Sequence, residues 1–223
     1  MNNYFVILAA GKSKRFHKNI TKQFFYFKNK EIIDHSVEKS LNSKLFKRIL
    51  IVTNDLKHLK KKGYPNSISI IKGGKERSDS SLIALKFLKK YKPKNIFIHD
   101  AARPNFSITL IHKLLKSLKK HDGVIPVLKT TSSIKTIKNK KILNLDRDKI
   151  FLSQTPQAFD FKKIFKLQKK INSKTTDDAS LFIDNSNKIK LINGEEKNIK
   201  ITTKDDIRQN LKYYFGIGFD VHI

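Results

Sequence analysis

At 223 residues, with a net charge of +29 and no cysteine, the chain can bury one large core, and disulfides, thiolate chemistry and cysteine-based metal sites are excluded. Its basic excess is 42 lysines against 6 arginines spread along the whole chain. That reads as solvated lysine faces, leaving a basic nucleic-acid-binding protein as a remote alternative with adhesion confined to low salt. No apolar run approaches the roughly 20 residues that span a bilayer, so no membrane partner is expected. A core strand at the amino terminus argues against a secretory leader, and the cysteine-free composition points to the cytoplasm.

In chain order, Tyr4-Phe5-Val6-Ile7-Leu8 predicts a buried strand over 4–9 that runs into Ala9-Ala10-Gly11-Lys12-Ser13-Lys14-Arg15, and then Lys22-Gln23. Small residues let the backbone approach a ligand, and N–H groups with Arg15 and Lys22 suit a polyphosphate. The stretch lacks the P-loop's first glycine. Helical spacing follows at Ile33/Val37/Leu41, then strands at 48–53 and 67–71. Gly73-Gly74-Lys75-Glu76-Arg77-Ser78-Asp79-Ser80-Ser81 then leads into a helix carrying Leu82/Leu85/Leu88, and fits either a capped turn or a loop laid against a flat ligand. A strand at 95–99 ends in His99-Asp100-Ala101-Ala102-Arg103-Pro104, where Asp100 suits a ribose hydroxyl, a magnesium ion on phosphate, a helix cap or an ion pair. A helix at Ile111/Leu114/Leu115/Leu118 and a strand at 123–128 complete the alternation. Such alternation predicts an α/β fold with a doubly wound, mainly parallel sheet, whose unusual loops collect at one rim.

Residues 129–149 break the pattern. Thr130-Thr131-Ser132-Ser133-Ile134-Lys135-Thr136-Ile137 and Ile142-Leu143 flank a polar turn and predict a protruding β-hairpin, read as a dimerisation arm. Asp146-Arg147 follows, then Gln154-Thr155-Pro156-Gln157-Ala158-Phe159 as a rigid turn, and Thr175-Thr176-Asp177-Asp178-Ala179-Ser180 as a capped helix start. Helices are expected near 160–171, 177–184 and 204–214, with strands near 188–192 and 197–202, the last carrying Lys200. In a lysine-biased chain the scarce arginines Arg15, Arg77, Arg103 and Arg147 all fall in these unusual segments, marking places where a planar fork is needed.

The ordered set A-A-G-K-S-K-R, T-K-Q, G-G-K-E-R-S-D-S, H-D-A-A-R-P, D-R, Q-T-P-Q-A-F, T-D-D-A-S and N-I-K-I-T closely resembles 2-C-methyl-D-erythritol 4-phosphate cytidylyltransferases, with a nucleotide-diphospho-sugar transferase-like fold, from about residue 4 to 212. The resemblance implies transfer of CMP from CTP to methylerythritol phosphate in non-mevalonate isoprenoid synthesis. Another polyol phosphate, such as ribitol 5-phosphate, is the alternative acceptor. By position it implies that Arg15, Lys22, Arg147 and Lys200 are catalytic and that Ala9, Ala10, Gly11, Gly74, Ser80, Asp100 and Ala101 surround the nucleotide. It further implies that Arg103, Thr130, Arg147, Thr155 and Lys200 hold the acceptor, with Asp100 near magnesium; the exposed hairpin adds the expectation of a homodimer formed through the arm. Two departures stand out: Lys75 replaces an acidic or small residue near the base, and Ser13 replaces a frequent glycine. The tail Gly216-Ile217-Gly218-Phe219-Asp220-Val221-His222 resembles the opening of 2-C-methyl-D-erythritol 2,4-cyclodiphosphate synthase. That implies a cytidylyltransferase domain over 1–212, followed at 213–223 by a linker and the stub of a second domain. Asp220 and His222 would be zinc ligands only in that domain when intact.

Overall fold

Strand β1 (Asn3–Ala9) is buried along its whole length, as happens when a parallel sheet carries helices on both faces. The structure is a computed structural model that describes residues 2–13, 15–16, 21–168, 178–182 and 188–210. After β1 come a short hairpin, β2 (Tyr26–Phe27) and β3 (Lys30–Glu31), then α1 (Ile32–Asn42), β4 (Arg48–Thr53), α2 (Leu56–Lys60), β5 (Ile68–Lys72), α3 (Arg77–Leu88), β6 (Asn95–Asp100), α4 (Ile108–Leu118) and β7 (Gly123–Lys129). The remaining elements are β8 (Ile134–Lys138), β9 (Lys141–Leu145), β10 (Phe151–Ser153), β11 (Gln157–Asp160), α5 (Phe161–Gln168), β12 (Ile189–Asn193) and α6 (Lys204–Asn210).

The main sheet runs β10-β7-β11-β6-β1-β4-β5, with β12 on the other edge of β7. The β1–β4, β1–β6, β4–β5 and β7–β12 pairs are parallel. Side chains alternate between the faces of β1. Tyr4, Val6 and Leu8 pack on the α3 and α5 side with Leu85, Leu88 and Ile164. Phe5, Ile7 and Ala9 pack on the α1 and α4 side with Val37, Ile111 and Leu114. A third, smaller apolar cluster joins Phe16, Phe27, Ile32, Ile201 and Ile207. Register sets Leu8 beside both Val52 and Asp100, so the loops leaving β1, β4 and β6 emerge side by side.

Three expectations change. Gln157–Asp160 is a strand, antiparallel between β6 and β7, so only Gln154–Pro156 turns. The alternating residues near Lys200 form no strand: Asp206 accepts the Thr202 and Thr203 N–H groups at 2.6 and 2.8 Å, diverting the backbone into a cap of α6. Residues 179–182 are a 3₁₀ helix. Helices α5 and α6 run to 168 and 210, and the rest of their expected spans lies outside the described residues.

The arm is a separate two-stranded ribbon of β8 and β9, in which Ile134 pairs with Leu145, Thr136 with Leu143, and Ile137 with Ile142. Alternation places Ile134, Leu143 and Leu145 on one face and Ile137 and Ile142 on the other. Ile137 and Ile142 are 74% and 72% exposed.

Candidate active site

A cavity of about 600 Å³ opens at the carboxyl ends of the strands, lined by Ala9, Ala10, Gly11, Gly74, Ser80, Asp100, Ala101, Lys22 and Lys200. The first loop is held by side-chain amides. Gln23 Nε2 donates to the Ala9 and Gly11 carbonyls, and Asn54 Nδ2 donates to the Ala10 carbonyl at 2.9 Å, fixing three successive peptide planes. Ser13 has φ 54°, a left-handed conformation that glycine adopts without strain. Its hydroxyl offsets that strain by accepting the Lys22 N–H at 3.1 Å and contacting Gln23 Oε1.

Two glycines here differ in kind. A Cβ on Gly73 would lie 2.4 Å from the Cβ of Ala10, so the β1 and β5 loops pack backbone against side chain. A Cβ on Gly11 would meet nothing within 4 Å. Protein packing therefore does not require glycine at position 11, and the open space belongs to the cavity.

Asp100 is the electrostatic centre. Lys200 Nζ donates to its Oδ2 at 2.6 Å and Arg77 Nε to its Oδ1 at 3.0 Å, while Arg77 Nη1 reaches Asp178 at 2.7 Å. Burial pushes the Asp100 carboxyl up, but Arg77 and Lys200 outweigh it and hold the group well below the usual carboxylate range. Lys22 is lowered to about 8, first by burial and then by Lys200 and Arg15, against the opposing pull of Asp100 and Asp206. Such a lysine is poised near neutrality.

Below Asp100 lies a buried relay. Thr155 Oγ1 accepts the Asp100 N–H at 3.0 Å and sits 3.0 Å from His99 Nδ1. His99 Nε2 faces the Arg103 carbonyl at 3.1 Å, which can only accept. Nε2 therefore carries the hydrogen, and Thr155 donates to Nδ1. Burial lowers His99 to about 3 and keeps it neutral. Thr155 thus lies inside the protein at 4% exposure.

Arg103 Nη1 and Nη2 donate to the carbonyls of Asn198 and Ser153, and Ile201 N–H donates to the Ala102 carbonyl. These bonds stitch the Lys200 loop to the end of β6. Arg15 is exposed on the first loop. Arg147 and Thr130 stand at the root of the arm, where Arg147 donates to the Thr131 carbonyl at 3.2 Å; neither lines the cavity. The fold therefore brings Lys22 and Lys200 together and sets Arg147 apart. Asp220 and His222 lie outside the described residues.

Sequence reading left Arg77, Gln23, His99 and Asp178 without roles. The rarity of arginine singled out Arg77, but the spacing to Asp178 is 101 residues, and nothing local joins them. Among the described residues no group of three or more metal-ligating side chains is assembled, and no helix is long and apolar enough to cross a membrane.

The family profile for 2-C-methyl-D-erythritol 4-phosphate cytidylyltransferase (IspD) matches residues 4–213. The chain belongs to this family. It is 46% identical over 223 residues to a bifunctional enzyme IspD/IspF of Pelagibacter ubique, and spans 60% of that protein's length. A 2-C-methyl-D-erythritol 4-phosphate cytidylyltransferase of Thermosipho africanus is 35% identical, with 91% of this chain and 93% of that protein aligned. Among solved structures, the 4-diphosphocytidyl-2C-methyl-D-erythritol synthase of Anaerococcus prevotii superposes with a TM-score of 0.82 at 28% identity, covering 93% of each chain. The bifunctional IspDF of Campylobacter jejuni gives 0.82 at 29% identity, over 94% of this chain and 54% of that one. The fold is accordingly that of the cytidylyltransferases, a mostly parallel sheet with helices on both faces.

Proposed function

We propose that this chain transfers CMP from CTP to 2-C-methyl-D-erythritol 4-phosphate, giving 4-diphosphocytidyl-2-C-methyl-D-erythritol and pyrophosphate in isoprenoid precursor synthesis. An oxygen of the acceptor's phosphate bonds to the α-phosphorus as the bond from that phosphorus to the β-phosphate's bridging oxygen breaks. The acceptor is already ionised, so no general base is needed, and catalysis reduces to alignment and charge stabilisation. The observation that carries this reading is the convergence of Lys22, Lys200 and Asp100 on the cavity beside Gly11.

In this reading Ala9, Ala10, Gly11, Gly74 and Ser80 receive the nucleotide, with Asp100 and Ala101 at its ribose. Lys22 and Arg15 face the charge developing at the α-phosphorus, and Lys200 receives the acceptor's phosphate. Thr155 and Arg103 act from behind the wall by holding Asp100 and the Lys200 loop. A divalent cation, magnesium by preference, fits a wall with so few carboxylates, because magnesium draws most of its ligands from phosphate and water. It would neutralise phosphate charge there, held by Asp100.

The active form is read as a homodimer through the arm, supported by exposed apolar residues on both ribbon faces and on Phe151 and Leu152 of β10. In a dimer, Arg147 and Thr130 would reach an acceptor site from outside the chain's own cavity. We read residues 1–212 as the cytidylyltransferase domain and 213–223 as the start of a second domain, supported by the length of the Pelagibacter relative. A cysteine-free enzyme drawing on CTP suits the cytoplasm. Incubation with CTP, magnesium and methylerythritol phosphate should release pyrophosphate and form the diphosphocytidyl product; folded protein that releases none refutes the assignment.

A further inference from the structure

Gathering Arg15, Lys22 and Lys200 at one end of the sheet sets like charges against one another. Lys200 and Arg15 both disfavour the charged form of Lys22, and Asp100 and Asp206 are the groups that oppose them. Asp100 is already shared between Arg77 and Lys200, so ion pairing alone does not draw the three cation-bearing segments together.

The third apolar cluster does. Each segment sends a neighbour of its cation into it: Phe16 follows Arg15, Phe25 and Phe27 follow Lys22, and Ile201 follows Lys200. Ile207 of α6 packs in the same cluster. Phe16, Ile201 and Ile207 are 5%, 0% and 7% exposed, and the Phe16 and Phe25 rings meet edge to face at 5.3 Å. Asp206, beside Ile207, ties α6 to the loop that carries Lys200 through the Thr202 and Thr203 N–H groups. The cluster is distinct from both sheet cores, so it can loosen without unfolding them.

We propose that this cluster is a clamp that sets the spacing of the catalytic cations, and that Ile207, which lines no part of the cavity, is a positioning residue for the transfer reaction. The inference rests on the cytidylyl-transfer reading. Apolar contact supplies the cohesion that the cations oppose, and misplacement of a catalytic group by about 1 Å costs on the order of 100-fold in rate.

The test compares Ile207→Ala, Ile207→Leu and, as a control of equal packing loss, Leu114→Ala in the buried face of α4. Ile207→Ala should lower kcat by about 10- to 100-fold while KM for CTP stays within about twofold, because the nucleotide wall is untouched. Amide exchange should rise together in residues 15–16, 21–27 and 198–207 and stay slow in the sheet. Ile207→Leu should recover kcat to within about threefold, since it conserves volume. Leu114→Ala should lower Tm at least as much and leave kcat unchanged. The clamp is refuted if Ile207→Ala costs no more kcat than Leu114→Ala, or if exchange rises in α6 alone. Should the unaltered chain not turn over at all, the reaction assignment falls, and joint or separate loosening of the two segments still decides the clamp.

Discussion

At the cavity, charged side chains are bound across long stretches of sequence: Lys200 to Asp100, Arg77 to Asp100 and Asp178, and Arg103 to the carbonyls of Ser153 and Asn198. On the arm, apolar side chains stand in solvent and each strand pairs only with its neighbour. One region ties these charges to carboxylates and carbonyls of its own chain. The other has apolar surface that its own chain leaves uncovered. A hairpin with exposed apolar side chains on both faces gains nothing from water, and this is the surface that the proposed dimer would cover.

Substitutions can break that contrast at either end. The largest expected effect is at the cavity: Lys22→Gln should reduce kcat by about 100- to 1000-fold, the usual cost of losing one preorganised charge on a transferring phosphoryl group. Pyrophosphate release measures it, with circular dichroism confirming the fold. Next is the arm. Ile142→Asp places a charge opposite Ile137 and should convert a dimer to monomer in sedimentation velocity. Because Arg147 would then be lost to the acceptor site, kcat/KM for methylerythritol phosphate should fall by about 10- to 100-fold, while CTP affinity stays put. A variant that remains dimeric would remove the arm from the interface.

Gly11→Ala is a finer probe. A methyl group there meets no protein atom, so Tm should hold while KM for CTP rises about tenfold, equivalent to about 1.4 kcal/mol of lost contact. A fall in Tm with an unchanged KM would assign Gly11 to packing. The smallest effect is that of pH. Lys22 is lowered to about 8, so kcat/KM should halve near pH 8 and decline further above it, as the lysine loses its proton. Stability should move the opposite way. Between about 8 and the usual lysine value the unfolded chain binds more protons than the folded one, so this group makes stability rise with pH across that window. Parallel pH titrations of activity and of urea midpoint would reveal the opposed slopes.

Much of the rim was legible because the signals are local. A buried apolar run ending in Ala-Ala-Gly, and another ending in His-Asp-Ala-Ala, mark strand ends whatever the rest of the chain does. The doubly wound sheet followed from the alternation alone. The antiparallel β11 was not legible, since Gln154-Thr155-Pro156 reads as a turn and masks the four strand residues behind it. Lys200 fell on an alternating Asn-Ile-Lys-Ile-Thr run, and only the Asp206 carboxylate, four and three residues beyond Thr202 and Thr203, turns that run into a cap. The Arg77–Asp178 pair and the His99–Thr155 relay join residues 101 and 56 positions apart. Folding alone brings such partners together, so no sequence window contains them.

The arm has short roots. Its strands leave from the antiparallel pair of β7 and β10, where Ser153 lies opposite Val127. The Ser153 carbonyl receives Arg103, and two residues later Thr155 receives the N–H of Asp100. A molecule that grips the ribbon therefore pulls on a stiff beam whose other end carries the carboxylate at the heart of the cavity. In the proposed dimer, assembly and turnover would be coupled through the three residues of backbone from Ser153 to Thr155.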